Sequence, residues 1–277
     1  MGIRINTNTS SLTALRNMSQ AAAVEQASTE KLSSGSRVNK AADDAAALSI
    51  SSKMNAQIRS QSQGIRNASD GISLLQTAEG GFNEISNILV RLRELAIQAS
   101  SGTVGNNERS YIDREAEVMM SRITQVAKST QYNGLKLLAS DNDDFQIHMG
   151  LAAGGESGVY TIDRTKLYST ATRLGLGEVG FAEQSQAQDS LAAIDSAINR
   201  VSSRRAWIGA LQNQIVSGRA NAEVSNQNKI AANSQIKDAD FAQAATENAH
   251  SKILEMAGLA VLAQANQNSS VALKLIG

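Results

Sequence analysis

Residues 75–99, LQTAEGGFNEISNILVRLRELAIQA, set Leu75, Ala78, Phe82, Ile85, Leu89, Leu92, Ala96 and Ala99 at an unbroken alternation of three- and four-residue steps. That spacing returns every apolar side chain to one narrow stripe of an α-helix, the stripe that a second helix covers in a coiled coil. Upstream, Ile58, Ile65 and Ile72 recur every seven residues, which predicts an earlier seam and a change of register before Leu75. The helix runs from about residue 46 to residue 100, roughly 80 Å at 1.5 Å per residue. A helix of that length draws its stability from a neighbour packed along it.

The neighbour is legible further on. Leu191, Ile194, Ile198 and Val201, then Ile208, Leu211 and Ile215, give a second seam in a helix over about 183–233. Its similar length suits antiparallel packing in a bundle. A third helix, about 106–131, carries Ile112, Ala116, Met119, Ile123, Val126 and Thr130 at the same spacing, with Asn106 and Asn107 as candidate caps. Asp43 and Asp44 favour a helix N-terminus at the start of the long helix. Tyr132-Asn133-Gly134 supplies a turn, Asn-Gly being suited to positive φ. From about 135 to 180 the pattern changes: Phe145, Ile147, Met149 and Leu151 alternate with Gln146, His148 and Gly150, a strand with one buried face. Residues 154–158 read as its turn, Val159 to Ile162 as the returning strand, and residues 173–180 as loop.

The chain ends are unusual in another way. A first helix from about Asn6 to Ser33 places Leu12, Leu15, Met18 and Ala22 on one arc, stops at Ser33-Ser34-Gly35 and leads into a connector. Met1 to Val24 holds only Arg4 and Arg16 as charges, and Ile253 to Gly277 only Glu255 and Lys274. In the last segment Ile253, Leu254, Met256, Leu259, Val261 and Leu262 cover nearly every face, with Leu273 beyond. A helix apolar all round must be buried on all sides. Pairing the N- and C-terminal helices with each other would bury one stripe of each; the rest needs other copies of the chain, a membrane or a chaperone. Head-to-tail contacts that do not close a ring build a helical polymer. Leu12, Leu15, Met18, Ile253, Leu254, Leu259, Val261, Leu262 and Leu273 are therefore read as self-assembly residues.

Composition narrows the rest. Lys+Arg and Asp+Glu number 26 each, so the net charge is zero and no basic footprint for nucleic acid exists. There is no Cys for a disulfide or thiolate site, and no Pro to interrupt a helix. The start of the chain lacks the apolar stretch of a cleaved signal, which predicts either a soluble chain or export by a route that needs none. The most apolar run, Ile253 to Ala265, is well short of the ~20 residues that span a bilayer, so no membrane is expected. The fold class expected is mainly α: a long antiparallel coiled-coil-like bundle with a small β-hairpin region and paired terminal helices.

Several motifs in order resemble bacterial flagellin: residues 30–46 (EKLSSGSRVNKAADDAA), 66–73 (RNASDGIS), 76–80 (QTAEG), 93–96 (RELA), 234–242 (SQIKDADFA) and 262–267 (LAQANQ). The resemblance implies a subunit that is exported unfolded through a flagellar type III export apparatus and polymerises under a filament cap into an extracellular motility filament. It also implies an inner assembly domain of residues 1–45 and 234–277 and a surrounding domain of residues 46–233, with no outer variable domains because the middle is short. The partners it implies are the chain itself, sister flagellins, an export chaperone and hook-junction proteins. A hook–filament junction protein would show the same ends, and a helical signalling module would show seams but need no uncharged apolar ends.

By the same resemblance, Arg91, Leu95 and Glu115 match residues through which similar flagellins meet a Toll-like receptor. Ser157, Thr161, Ser169, Thr170 and Thr172 are sites where O-glycans would fit the family's habit, although no motif marks them.

No chemistry of catalysis is visible. His148 and His250 lie far apart without an HExxH pattern, and Asp141-Asn142-Asp143-Asp144 is followed by Gln146 and Ala152 where a calcium loop needs Gly and Glu. The glycines at 154–158 lack the Lys-Ser/Thr ending of a phosphate loop. Trp207 reads as packing. No enzyme, cofactor or metal site is expected.

Overall fold

The computed structural model describes residues 7–139, 144–150 and 158–274, with side chains as far as residue 267. In chain order come α1 (Thr9–Ser34), α2 (Ala45–Ser100), α3 (Asn106–Ser129), β1 (Gln131–Tyr132), β2 (Leu135–Lys136), β3 (Phe145–His148), β4 (Val159–Ile162), α4 (Gln184–Lys237) and α5 (Phe241–Lys274), with a 3₁₀ turn at Arg164–Lys166. The chain forms two compact units, Arg59–Asn226 and, drawn from both ends, Met1–Ile58 with Gln227–Gly277.

In Arg59–Asn226, every residue of the stripe from Leu75 to Ala99 is fully buried. The stripe also extends upstream without the expected change of register. Gln61, Gly64, Ala68 and Gly71 continue the same steps and are the buried positions, whereas Ile58, Ile65 and Ile72 are half-buried flanks. The early part of the seam is thus built from Gln61 and three small residues, not from the isoleucines. On α4, Ala187, Ser190, Ile194, Ala197, Val201, Ile208, Leu211 and Ile215 form the facing row.

Side-chain contacts fix the direction of this pair. Gln61 bonds Ala222, Arg219 bonds Ser69, Gln212 bonds Glu79, Arg93 bonds Asp195 and Gln184 bonds Ser100. Numbers rise on one helix as they fall on the other, so α2 and α4 are antiparallel, as the matched seams predict.

The third helix lies back along α2, burying Ile112, Ala116, Ile123 and Ala127. It begins without an Asn cap: Gly105 occupies the cap position and makes no side-chain cap bond. Arg109 closes the corner instead. The residue is 6% exposed, and its guanidinium donates to the carbonyls of Ala99 and Ser101 at and just past the C-terminal end of α2 and to Asn106 Oδ1. Helix carbonyls left over at a C-terminus favour a cation. α3 ends at Ser129, before residue 131, because Gln131 and Tyr132 pair with Lys136 and Leu135 around Asn133 and Gly134, both at positive φ.

Strands β3 and β4 pair antiparallel, Phe145 opposite Ile162 and His148 opposite Val159. Ile147 and Met149 are buried while Gln146 and His148 are exposed, the alternation read from the sequence. The expected Leu151 and the turn at residues 154–157 lie outside the described residues. The hairpin rests on the glycine stretch of α2. A Cβ on Gly64 would lie 2.5 Å from the Met149 carbonyl oxygen, and one on Gly71 would collide with the Ile147 side chain. Between them, Asn67 Nδ2 donates to the His148 carbonyl at 2.9 Å. Small residues in the seam are what let a β-hairpin approach the helix backbone.

In the unit made from the two ends, Asn8 caps α1 by accepting from the Ser11 N–H, and Gly35 ends it at φ +66. The two aspartates divide their work. Asp44 Oδ1 accepts from the Ala47 N–H and caps α2, whereas Asp43 Oδ2 accepts from the N–H groups of Asn39 and Lys40 and braces the connector. Those N–H bonds, Lys40's foremost, hold the Asp43 carboxyl below its ordinary pKa. The connector also pairs with the α4–α5 turn: Arg37 N–H donates to Lys237 O and Ala239 N–H to Gly35 O.

Candidate functional site

The terminal helices pair chiefly through small residues. The buried positions of α1 are Ala14, Ala21 and Ser28, one every seven residues. On α5, Ala244, Ser251 and Ala265 are buried and Gly258 is half-buried, again seven apart. Side chains this small let two helix backbones lie close together. Polar stitches hold the ends in register: Asn8 Nδ2 donates to Ala265 O at 3.0 Å, and Asn248 Nδ2 to Thr29 Oγ1 at 2.8 Å. Lys252 meets Glu25 at 3.7 Å.

The large side chains consequently face outward. Leu12 is 59% exposed, Leu15 46%, Ile253 65%, Leu254 47%, Leu259 52% and Val261 56%. Met18 and Leu262 are half-buried, and the Leu273 side chain lies outside the described residues. A shallow groove between the helices is lined by Met18, Val24, Leu254 and Val261. Of the arc Leu12, Leu15 and Met18, the first two are on the uncovered side of α1, whereas Met18 meets α5: a Cβ on Gly258 would lie 3.5 Å from the Met18 Cβ. The spacing of small residues was the overlooked signal, since alanines and serines are abundant everywhere in this chain.

The second predicted surface lies on α2 and α3. Arg91 donates from Nη2 to Glu115 at 2.9 Å and from Nη1 to Glu94 at 3.0 Å, which raises its pKa, Glu115 contributing most. Leu95, 1% exposed, belongs to the core row beneath them. Of the three, only Arg91 and Glu115 stand at the surface. Among the hydroxyls considered for glycans, Thr161 and Thr172 are exposed, Thr170 is half-buried and Ser157 lies outside the described residues. Ser169 is fully buried and donates to the Leu167 carbonyl.

The remaining candidates take ordinary structural places. His148 is an exposed strand residue, and His250 an exposed residue of α5. Asp144 accepts from the Arg164 N–H, while Asp141–Asp143 lie outside the described residues. Lys166 sits over the Trp207 ring at 5.1 Å. Among the described residues, no group of three or more acidic or His side chains could hold a metal ion, and no helix is long and apolar enough to cross a membrane.

Comparison with known proteins gives this architecture its family. The bacterial flagellin N-terminal helical region matches residues 5–143, and the bacterial flagellin C-terminal helical region matches residues 191–276. The chain belongs to the bacterial flagellin family. A flagellin of Halalkalibacterium halodurans is 39% identical over 98% of this chain and 99% of its own length. A flagellin of Bacillus subtilis is 36% identical over 99% of this chain and all of its own. The crystal structure of Bacillus cereus flagellin, 27% identical, superposes with a TM-score of 0.50 over 57% of this chain and 88% of that one. Membership makes the chain a structural, self-polymerising subunit of the bacterial flagellar filament and not an enzyme.

Proposed function

We propose that polymerisation runs through the outward faces of α1 and α5. Residues 1–45 and 234–277 act as the inner assembly domain, and residues 46–233 surround it without outer variable domains. The observation that carries this reading is the row of half-exposed leucines, isoleucines and valines on the terminal helices. Burying the exposed half of each such side chain contributes about 1 kcal/mol. A neighbouring copy can cover them repeatedly, and a contact of that kind extends into a helical filament.

The same uncovered apolar surface explains why the subunit would travel unfolded through the type III export apparatus with an export chaperone, and fold only at the extracellular tip beneath the cap. Sister flagellins and hook-junction proteins would meet the same ends. Arg91 and Glu115 form the surface offered to a Toll-like receptor, Leu95 supporting them from below. Removal of residues 254–277 tests the assembly claim. The truncated chain is expected to keep the helical Arg59–Asn226 unit by circular dichroism and to give no filaments in negative stain. Normal filaments from it would refute the role of α5.

A further inference from the structure

Arg204 occupies the buried row of α4 at the step between Val201 and Ile208, a position otherwise filled by apolar or small residues. Its Nη1 donates to the Tyr168 carbonyl and to Ser169 Oγ, both at 2.5 Å. Arg173 lies over the Tyr168 ring, 5.7 Å from its centre. Arg200, one turn before Arg204, lies against the same loop: a Cβ on Gly175 would be 3.2 Å from its Nη1. Three guanidinium groups thus gather around one loop. No ion pair joins any of them to a carboxylate among the described residues. Burial, and then the charges of Arg173 and Arg200, hold the Arg204 pKa below its ordinary value.

Like charges brought together without a counter-charge destabilise the lone subunit. A carboxylate supplied from outside the subunit would relieve that repulsion. Within the same unit, Glu178, Glu183 and Asp189 are exposed on the loop entering α4 and on its first turns, and none of them forms an ion pair among the described residues. Arg173 and Arg200 are likewise exposed. A basic cluster and an acidic stretch of chain on one subunit are complementary in charge. In a subunit that polymerises, such a pair of surfaces can meet in a contact that repeats from copy to copy. Complementary charge also selects register and speeds encounter.

We propose that the Arg173–Arg200–Arg204 patch of one copy receives the Glu178–Glu183–Asp189 stretch of the next copy in the filament. The inference rests on the polymer reading above. The test reverses charge on full-length chains and measures the critical concentration for growth on filament seeds, leaving Arg204 and its loop bonds untouched.

Arg173→Glu with Arg200→Glu, or Glu178→Lys with Glu183→Lys and Asp189→Lys, should each raise that concentration at least about tenfold. A chain carrying both sets should return to within about threefold of the unaltered chain. An equimolar mixture of the two reversed chains should also grow. Circular dichroism of each monomer checks that the fold is kept; if the combined chain misfolds, the mixture decides. Unaltered growth of the reversed chains, or failure of both the combined chain and the mixture, overturns the contact. So does phosphate binding to the patch in a chain whose reversal leaves growth unchanged. Failure of the unaltered chain to grow at all would instead strike the polymer reading itself.

Discussion

Arg109 and Arg91 show how differently two arginines on neighbouring helices can act. Arg91 holds Glu94 and Glu115 across an exposed face, where solvent screens the charges and such pairs add little. Arg109 is enclosed, and its three bonds end on two carbonyls of the α2–α3 corner and one Asn side chain. Removing it takes this donor from the buried Ala99 carbonyl, while Ser101 O keeps the Val104 N–H and Asn106 is exposed to water. Arg109→Ala is expected to lower the unfolding free energy by roughly 1–3 kcal/mol, read from urea denaturation. Arg109→Lys should recover only part, because one ammonium cannot span acceptors that a planar guanidinium reaches together. In the sequence Arg109 is one charged residue among many on α3. Nothing in its spacing reports that carbonyls of the preceding helix await it. Leu95 is the converse: it carries part of a surface motif, yet helical geometry places it in the core.

At the level of elements, the glycines of α2 divide into two kinds. Glycine within a helix is disfavoured by about 1 kcal/mol relative to Ala, so each needs a reason. Gly64 has one, because the Met149 carbonyl stands where its Cβ would be. Gly80 has none in the subunit, since nothing lies within 4 Å of its added Cβ. Gly80→Ala is therefore expected to stabilise the fold by up to about 1 kcal/mol. Gly64→Ala should destabilise it by at least as much, since the hairpin must shift and loosen from α2. Thermal unfolding compares the two, and hydrogen exchange at Ile147 and His148 shows whether the hairpin has loosened. The helices themselves were legible because a three–four apolar spacing is a local property of the chain. The stretch before Leu75 departs from the expected seam for a physical reason. Large apolar side chains mark a period in the sequence, while a seam that accommodates a hairpin is built by leaving them out.

For the whole molecule, the same distinction separates folding from assembly. Small residues at seven-residue intervals join α1 to α5, and large ones on the other faces remain for a neighbour. Ser251→Leu should therefore wedge the helices apart, lowering helix content and speeding proteolysis of both ends. Leu259→Asp should leave the pair intact by those measures and abolish filaments in negative stain, because it places a charge where another copy must bury an apolar side chain. Equal effects of the two substitutions on the isolated subunit would contradict this separation. Helix positions, their antiparallel order and the presence of apolar, charge-poor ends were determined by the sequence alone, because they follow from residue type and spacing along the chain. Which face of each terminal helix meets its partner, which glycines admit the hairpin, and where three arginines gather without a carboxylate were decided only in three dimensions. Those features depend on how closely two backbones approach, and that distance is set by both partners at once.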